Sequence, residues 1–210
     1  MAEGSPFLPA HFERMDDSPD GQFYVSPRFV THIDDDAIAT IRRFYGETLP
    51  SHGAILDLMS SWVSHLPNPN TYSSVTGLGM NEEELRGNPQ LSDWVVQDLN
   101  ASPILPIADE TYEGAVVTVS VQYLTRPIEV FAEVGRVLKP GAPFIVSYSN
   151  RCFPTKAVAI WRALGDREHA DLVGAYFRLS ARFDPSSAHD LSPAPGRSDP
   201  VYCIVARRSG

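Results

Sequence analysis

The sequence is short of cysteine, of basic residues and of long apolar runs. Its two cysteines, Cys152 and Cys203, lie too far apart for metal-type spacing. Two free thiols are compatible with a reducing compartment and predict a cytoplasmic protein. Lys and Arg number 17 against 26 Asp and Glu, a net charge of −9. Polyanion binding needs clustered cations, and the single basic cluster is Arg207-Arg208, so no nucleic-acid partner is expected. No apolar run approaches the roughly 18–20 residues that a spanning helix needs, and the N-terminus carries no signal-peptide pattern. No membrane association is therefore expected. No His, Asp and Glu cluster has ligand spacing, so no metal is expected either.

What is present suits one domain. The 210 residues are 43% hydrophobic, enough for a full core. Residues 1–33 read as an extended lead, rich in proline yet with the aromatic segment Phe23 to Phe29, which is too apolar for a free tail. This lead is expected to lie over the domain, 34–210, as a lid. Asp34, Asp35 and Asp36 load the first turn of a helix that ends near Pro50. Short continuous apolar runs predict buried parallel strands at 54–58, about 74–78, 93–97, 114–121 and 143–149. Ser60 is expected to cap a short helix stopped by Pro67, followed by a turn cluster at Pro67-Asn68-Pro69-Asn70. Asn81 to Glu84 has capping-box spacing. A helix is predicted over 127–138, then helices at about 154–164 and 166–175. Two last strands are predicted at about 177–183 and 201–207, paired antiparallel, with a mobile loop from Asp184 to Pro200 between them. Alternating strands and helices give a doubly wound α/β fold.

Three stretches carry a resemblance. Val134 to Ser147, VGRVLKPGAPFIVS, resembles an "RVLKPGG" helix stop followed by a fifth strand. Leu105 to Val117, LPIADETYEGAVV, resembles an "lPf-d-sFDaVv" segment, and Ile55-Leu56-Asp57-Leu58 resembles the start of a first motif. Together these resemble the class I S-adenosylmethionine-dependent methyltransferases, of the methyltransferase type 11 kind. The resemblance implies a Rossmann-like, mostly parallel seven-stranded sheet with helices on both faces and an antiparallel last strand. It also implies S-adenosyl-L-methionine as cofactor, bound across the ends of the first three strands.

The sequence departs from the family at two places. A glycine-rich turn normally follows the first strand, where close backbone approach to the cofactor is needed; here the chain reads Met59-Ser60-Ser61-Trp62-Val63. The second strand normally ends in an acidic residue for the ribose hydroxyls; here Gly79 stands, followed by Met80 and Asn81. Two readings follow. In one, Asp57, Met59, Ser60, Ser61, Gly79, Met80, Asn81, Asp98, Leu99 and Ser120 hold the cofactor in an altered way. In the other, the site is degenerate and the domain is a ligand-binding or interaction module without catalysis. Tyr24, Arg28, His32, His65, Tyr123 and Asn150 are candidates for the acceptor side, and the expected partner is a small-molecule methyl acceptor. No catalytic residue is assigned, because methyl transfer is an in-line displacement that rests mainly on placement. Bland roles stand beside these: Asn81 as helix cap, Asp98 as turn residue, Trp62 and Cys152 as packing groups, and Asp16-Asp17 and Glu82 to Glu84 as solvated faces.

Overall fold

In the computed structural model, which describes residues 6–68 and 71–210, strand and helix alternate around one sheet. Residues 1–5 of the lead, and Pro69 and Asn70 of the expected turn cluster, lie outside the described residues. The lead holds a 3-10 turn, Pro9–Phe12, and a one-turn helix α1, Asp20–Phe23. Helix α2, Asp35–Thr48, starts where its acidic run predicts: the Asp34 side chain accepts from the Ala37 amide at 2.9 Å, with Asp35 and Asp36 in the first turn.

Strand β1, Ala54–Leu58, is followed by β2, Ser74–Gly79, helix α3, Glu82–Gly87, β3, Asp93–Val96, and β4, Gly114–Thr118. Helix α4, Pro127–Val137, opens on a proline whose missing N–H costs a first turn nothing. Gly141, at φ +79°, then turns the chain into β5, Pro143–Tyr148. Helices α5, Ala159–Ala163, and α6, Asp166–Leu179, precede β6, Ser187–Asp190, and β7, Tyr202–Arg207. The seven strands run in the order β3-β2-β1-β4-β5-β7-β6. The first five are parallel; β7 pairs antiparallel with both β5 and β6.

Alternate residues of the central strands feed two cores. Leu56, Leu58, Val117, Phe144 and Val146 face Phe131 of α4 and Tyr176 and Phe177 of α6. Ile55, Val75, Val116 and Ile145 face Ile38, Ile41 and Tyr45 of α2. The buried Tyr45 hydroxyl bonds Thr118 Oγ1 at 2.8 Å and Ser147 Oγ at 2.9 Å, tying α2 to two strands.

Three expectations are corrected. Residues 60–67 form no helix. The Ser60 and Ser61 hydroxyls bond side chains elsewhere, Met59 and His65 take positive φ, and Leu66 packs into the α2-side core. The strand expected at 177–183 does not exist: Phe177 and Leu179 close the buried face of α6, and the sixth strand, 187–190, lies inside the stretch read as a mobile loop. The helix expected at 154–164 shrinks to 159–163. Among the described residues no helix is long and apolar enough to cross a membrane, and no group of three or more His, Cys, Asp and Glu could hold a metal ion.

Candidate functional site

At the carboxyl ends of the parallel strands lies a cavity of about 320 Å³, the place and size expected of a small-molecule site in this architecture. Its floor is the ends of β1 and β2 and the segments after β3, β4 and β5; its roof is the N-terminal lead. The lead is fastened from both sides. Asn81 Nδ2 donates to the carbonyls of Tyr24 and Val25 at 3.0 and 3.2 Å, and Trp62 Nε1 donates to that of Val30 at 2.9 Å. Further back, Arg14 Nη1 reaches both carboxylate oxygens of the buried Asp20, at 2.6 and 2.7 Å. The fully buried Lys156 ammonium lies 3.2 Å from Asp16, 3.3 Å from Asp20 and 2.8 Å from the Ser18 carbonyl.

The turn after β1 is built on hydroxyls. Ser60 Oγ donates to Asp57 Oδ2 at 2.6 Å, and the Ser64 hydroxyl also acts to lower that carboxyl's pKa. Burial pushes the Asp57 carboxyl up to about 7, against the downward pull of the two hydroxyls. Among the described residues no cation pairs with it. Ser61 Oγ donates to Glu84 Oε2 at 2.6 Å, while Glu84 Oε1 accepts the Arg28 amide at 2.6 Å. Glu84 is therefore a buried tie between turn, α3 and lead, not the solvated face that its acidic run suggests. Asp16 is likewise an ion-pair partner.

Asp57, Met59, Ser60, Ser61, Gly79, Met80, Asn81, Asp98, Leu99 and Ser120 all line the cavity, as do Tyr24, Arg28, His32, His65 and Tyr123. Asn150 does not: it is exposed beyond β5, and the neighbouring Arg151, Cys152 and Phe153 reach the cavity instead. Several of these groups also have structural work. Asn81 Oδ1 caps α3 through the Glu84 amide at 3.1 Å, and Asp98 Oδ1 accepts the amides of Asn100 and Ala101 at 2.9 and 3.2 Å. Tyr123 Oη accepts the Phe153 amide at 2.9 Å. Burial raises Tyr24 above its ordinary range and pushes Tyr123 up to about 12, so both stay neutral hydroxyls at physiological pH. Burial pulls His65 down to about 4 and lowers His32 as well, leaving neutral imidazoles. His65 Nδ1 is buried without a partner.

Sequence reasoning missed Asp20, Glu84, Asn100 and Phe153. The acidic run hid Glu84, and only the fold brings Asp20 to the site. Asn100 lay in sight, in the polar triplet Asp98-Leu99-Asn100 after β3; it donates to Asp20 Oδ2 at 2.8 Å and to the Tyr123 carbonyl at 3.0 Å.

The lining fits a nucleoside that carries cationic groups. Asp57 offers a buried carboxylate balanced only by hydroxyls, Asp98 lines the cavity after β3, and the Trp62 indole is tied to the Val30 carbonyl and packs on Phe29 in a wall that, with Met80, still encloses open space.

A family model described as a methyltransferase domain matches residues 59–146. A methyltransferase of Penicillium fellutanum, phqN, is 34% identical over 80 residues, covering 35% of this chain and 24% of its own length. The biotin biosynthesis bifunctional protein BioHC of Teredinibacter turnerae is 28% identical over 79 residues, 38% of this chain and 13% of its own. The chain thus spans a quarter or less of these curated relatives. Among solved structures, a Haloferax volcanii methyltransferase in complex with the Trm112 activator superposes with a TM-score of 0.59 at 14% identity, over 84% of this chain and 91% of that one. An S-adenosylmethionine-dependent methyltransferase from Mesorhizobium loti gives 0.55 at 17%, over 81% and 96%. Strand order and the antiparallel last strand agree with the fold of these solved methyltransferases, and residues 59–146 match a methyltransferase domain, here with a glycine-poor turn after β1.

Proposed function

We propose that the cavity binds S-adenosyl-L-methionine and presents it to a small-molecule acceptor beneath the N-terminal lead. The observation that carries this reading is the open cavity at the carboxyl ends of β1 to β4 with the buried Asp57, which has no cationic partner among the described residues, in its wall. The cofactor would supply an activated methyl group on a sulfonium. Asp57 and Asp98 would face its cationic and amino groups, Leu99 and Met80 its base, and Ser60, Ser61 and Ser120 its polar edges. Asn81 is committed to α3 and the lead, which leaves one lone pair of its carbonyl for a ribose hydroxyl. Tyr24, Arg28, His32, His65 and Tyr123 would form the acceptor side. The lead would exclude water and hold the acceptor in line, which is the larger part of what such a transfer needs. Burial holds His65 neutral and makes it a weak base, so it would serve as a hydrogen-bonding group on the acceptor side.

One observation favours the second reading, a ligand-binding module without transfer. Residues 60–67 form no helix, so no helix N-terminus faces the cofactor's carboxylate there. Incubation with methyl-labelled S-adenosylmethionine and a panel of hydroxyl, amine, thiol and carboxylate acceptors separates the two. Labelled product supports transfer. Cofactor binding with no product from any acceptor supports the module.

A further inference from the structure

Arg28 is the one strongly basic side chain in the cavity wall that is not spent on a carboxylate partner through its side chain. Its guanidinium lies over three rings, 4.6 Å from the Phe23 centroid, 5.5 Å from Tyr24 and 5.7 Å from Phe153. Its Nη2 donates to the Phe23 carbonyl at 2.7 Å, and its backbone amide to Glu84. Its Nη1 is buried and has no partner. A buried donor on a charged group is costly to leave unpaired, so this edge gains when an acceptor reaches it. The rings fix the guanidinium plane beforehand, which lowers the entropy lost on binding. The other arginine in the wall, Arg151, is mostly exposed and pairs through Nε with Asp199 at 2.7 Å.

We infer that Arg28 is a carboxylate anchor: its open Nη1 edge takes a monoanionic carboxylate of the bound ligand. The wall around it favours one negative charge over two. Asp20, Asp57, Glu84 and Asp98 share the lining, so a phosphate dianion meets four carboxyl groups and a single unpaired guanidinium edge. A planar carboxylate matches the guanidinium fork and needs one such edge. Two sources share this chemistry: the amino-acid tail of the nucleoside cofactor, whose usual helix N-terminus after β1 is missing, and a carboxylate on the acceptor. The inference rests on the methyl-transfer reading of the cavity for the identity of the first source, and stands without it for the second.

The test compares wild type, Arg28→Gln and Arg28→Lys with three probes: S-adenosylhomocysteine, 5′-methylthioadenosine, which lacks the tail, and benzoate, read by saturation-transfer NMR. If the tail is the ligand, Arg28→Gln weakens S-adenosylhomocysteine about tenfold or more and leaves 5′-methylthioadenosine unchanged. If the acceptor is the source, both nucleosides bind as before and the benzoate signal disappears. Equal weakening of the two nucleosides, or no change in any probe, overturns the inference. Arg28→Lys keeps the charge and the ring contacts and loses the fork. Should Arg28→Gln fail to fold, a loss in the same direction with Arg28→Lys supports the anchor and no change overturns it. A wild type that binds benzoate through Arg28 but neither nucleoside keeps the anchor and rejects methyl transfer. A wild type that binds none of the three rejects both.

Discussion

Gly79 and Ser60 meet backbone to backbone: a Cβ on Gly79 would stand 2.2 Å from the Ser60 carbonyl oxygen. The turn after β1 therefore leans onto the end of β2, where Ser60 N donates to the Leu78 carbonyl at 2.8 Å. This contact links the two departures from the family pattern. The glycine that the first motif lacks is found instead on the neighbouring strand, and the acidic residue usual at that strand end has no room. Gly79→Ala is expected to cost about 3 kcal/mol, the upper end of the usual overpacking range, since the backbone it meets has no flexible side chain to yield; urea unfolding reads it. Gly79→Glu, which restores the family's acid, is expected to lose stability without gaining nucleoside affinity.

Asp57 makes the protein's stability depend on pH. Its folded carboxyl, pushed up to about 7, keeps a proton that the unfolded chain has lost above about 4. The native state then binds more protons across that window, so this residue's contribution to stability falls as pH rises through it. Asp57→Asn removes the slope. The melting-temperature difference, variant minus wild type, is expected to widen from pH 5 to pH 8. His65 has the opposite sign at the acid end but is common to both proteins and cancels. A gap that stays constant with pH contradicts the assignment.

A cationic ligand should favour the ionised form of the same carboxylate. S-adenosylmethionine is accordingly expected to bind wild type more tightly at pH 8 than at pH 6, and Asp57→Asn nearly equally at both. Calorimetry at the two pH values measures it.

The lead is fastened by charge. Asp20 is buried between Arg14, Lys156 and Asn100, and Lys156 is buried completely. Asp20→Ala takes the carboxylate from Arg14 and leaves the buried Lys156 with Asp16 alone, a loss expected at about 3–5 kcal/mol. Limited proteolysis should then cut within residues 6–33 faster than in wild type. Unchanged cutting rates would show that the aromatic contacts alone hold the lead in place.

Strands whose apolar runs are continuous and bounded by turns were legible, because burial on both faces leaves no alternative to such a run. The caps were legible for the same local reason: Asp34 and Asn81 each bond an amide three residues on. The stretch after β1 was not. Ser60, Ser61, Trp62 and Ser64 look like a helix start, yet each side chain finds a distant or lateral partner: Asp57, Glu84, the Val30 carbonyl and Asn88. Tertiary hydrogen bonds outweighed local propensity there. Phe177 and Leu179 misled in the other direction, since the last buried turn of an amphipathic helix reads like a short strand. The strand-end residues of the site follow from topology and could be named in advance. The lead's share could be guessed only from its aromatics, and Glu84, Asp20 and Phe153 depend on contacts that no spacing reveals.

The most direct measurement is a calorimetric titration of S-adenosylhomocysteine into the wild-type protein, Asp57→Asn and Asp98→Asn. Saturable one-to-one binding by wild type, weakened about tenfold or more in each variant, is the predicted result. Absence of heat from wild type at millimolar ligand, or equal affinity in all three, would contradict a nucleoside site at the carboxyl ends of these strands.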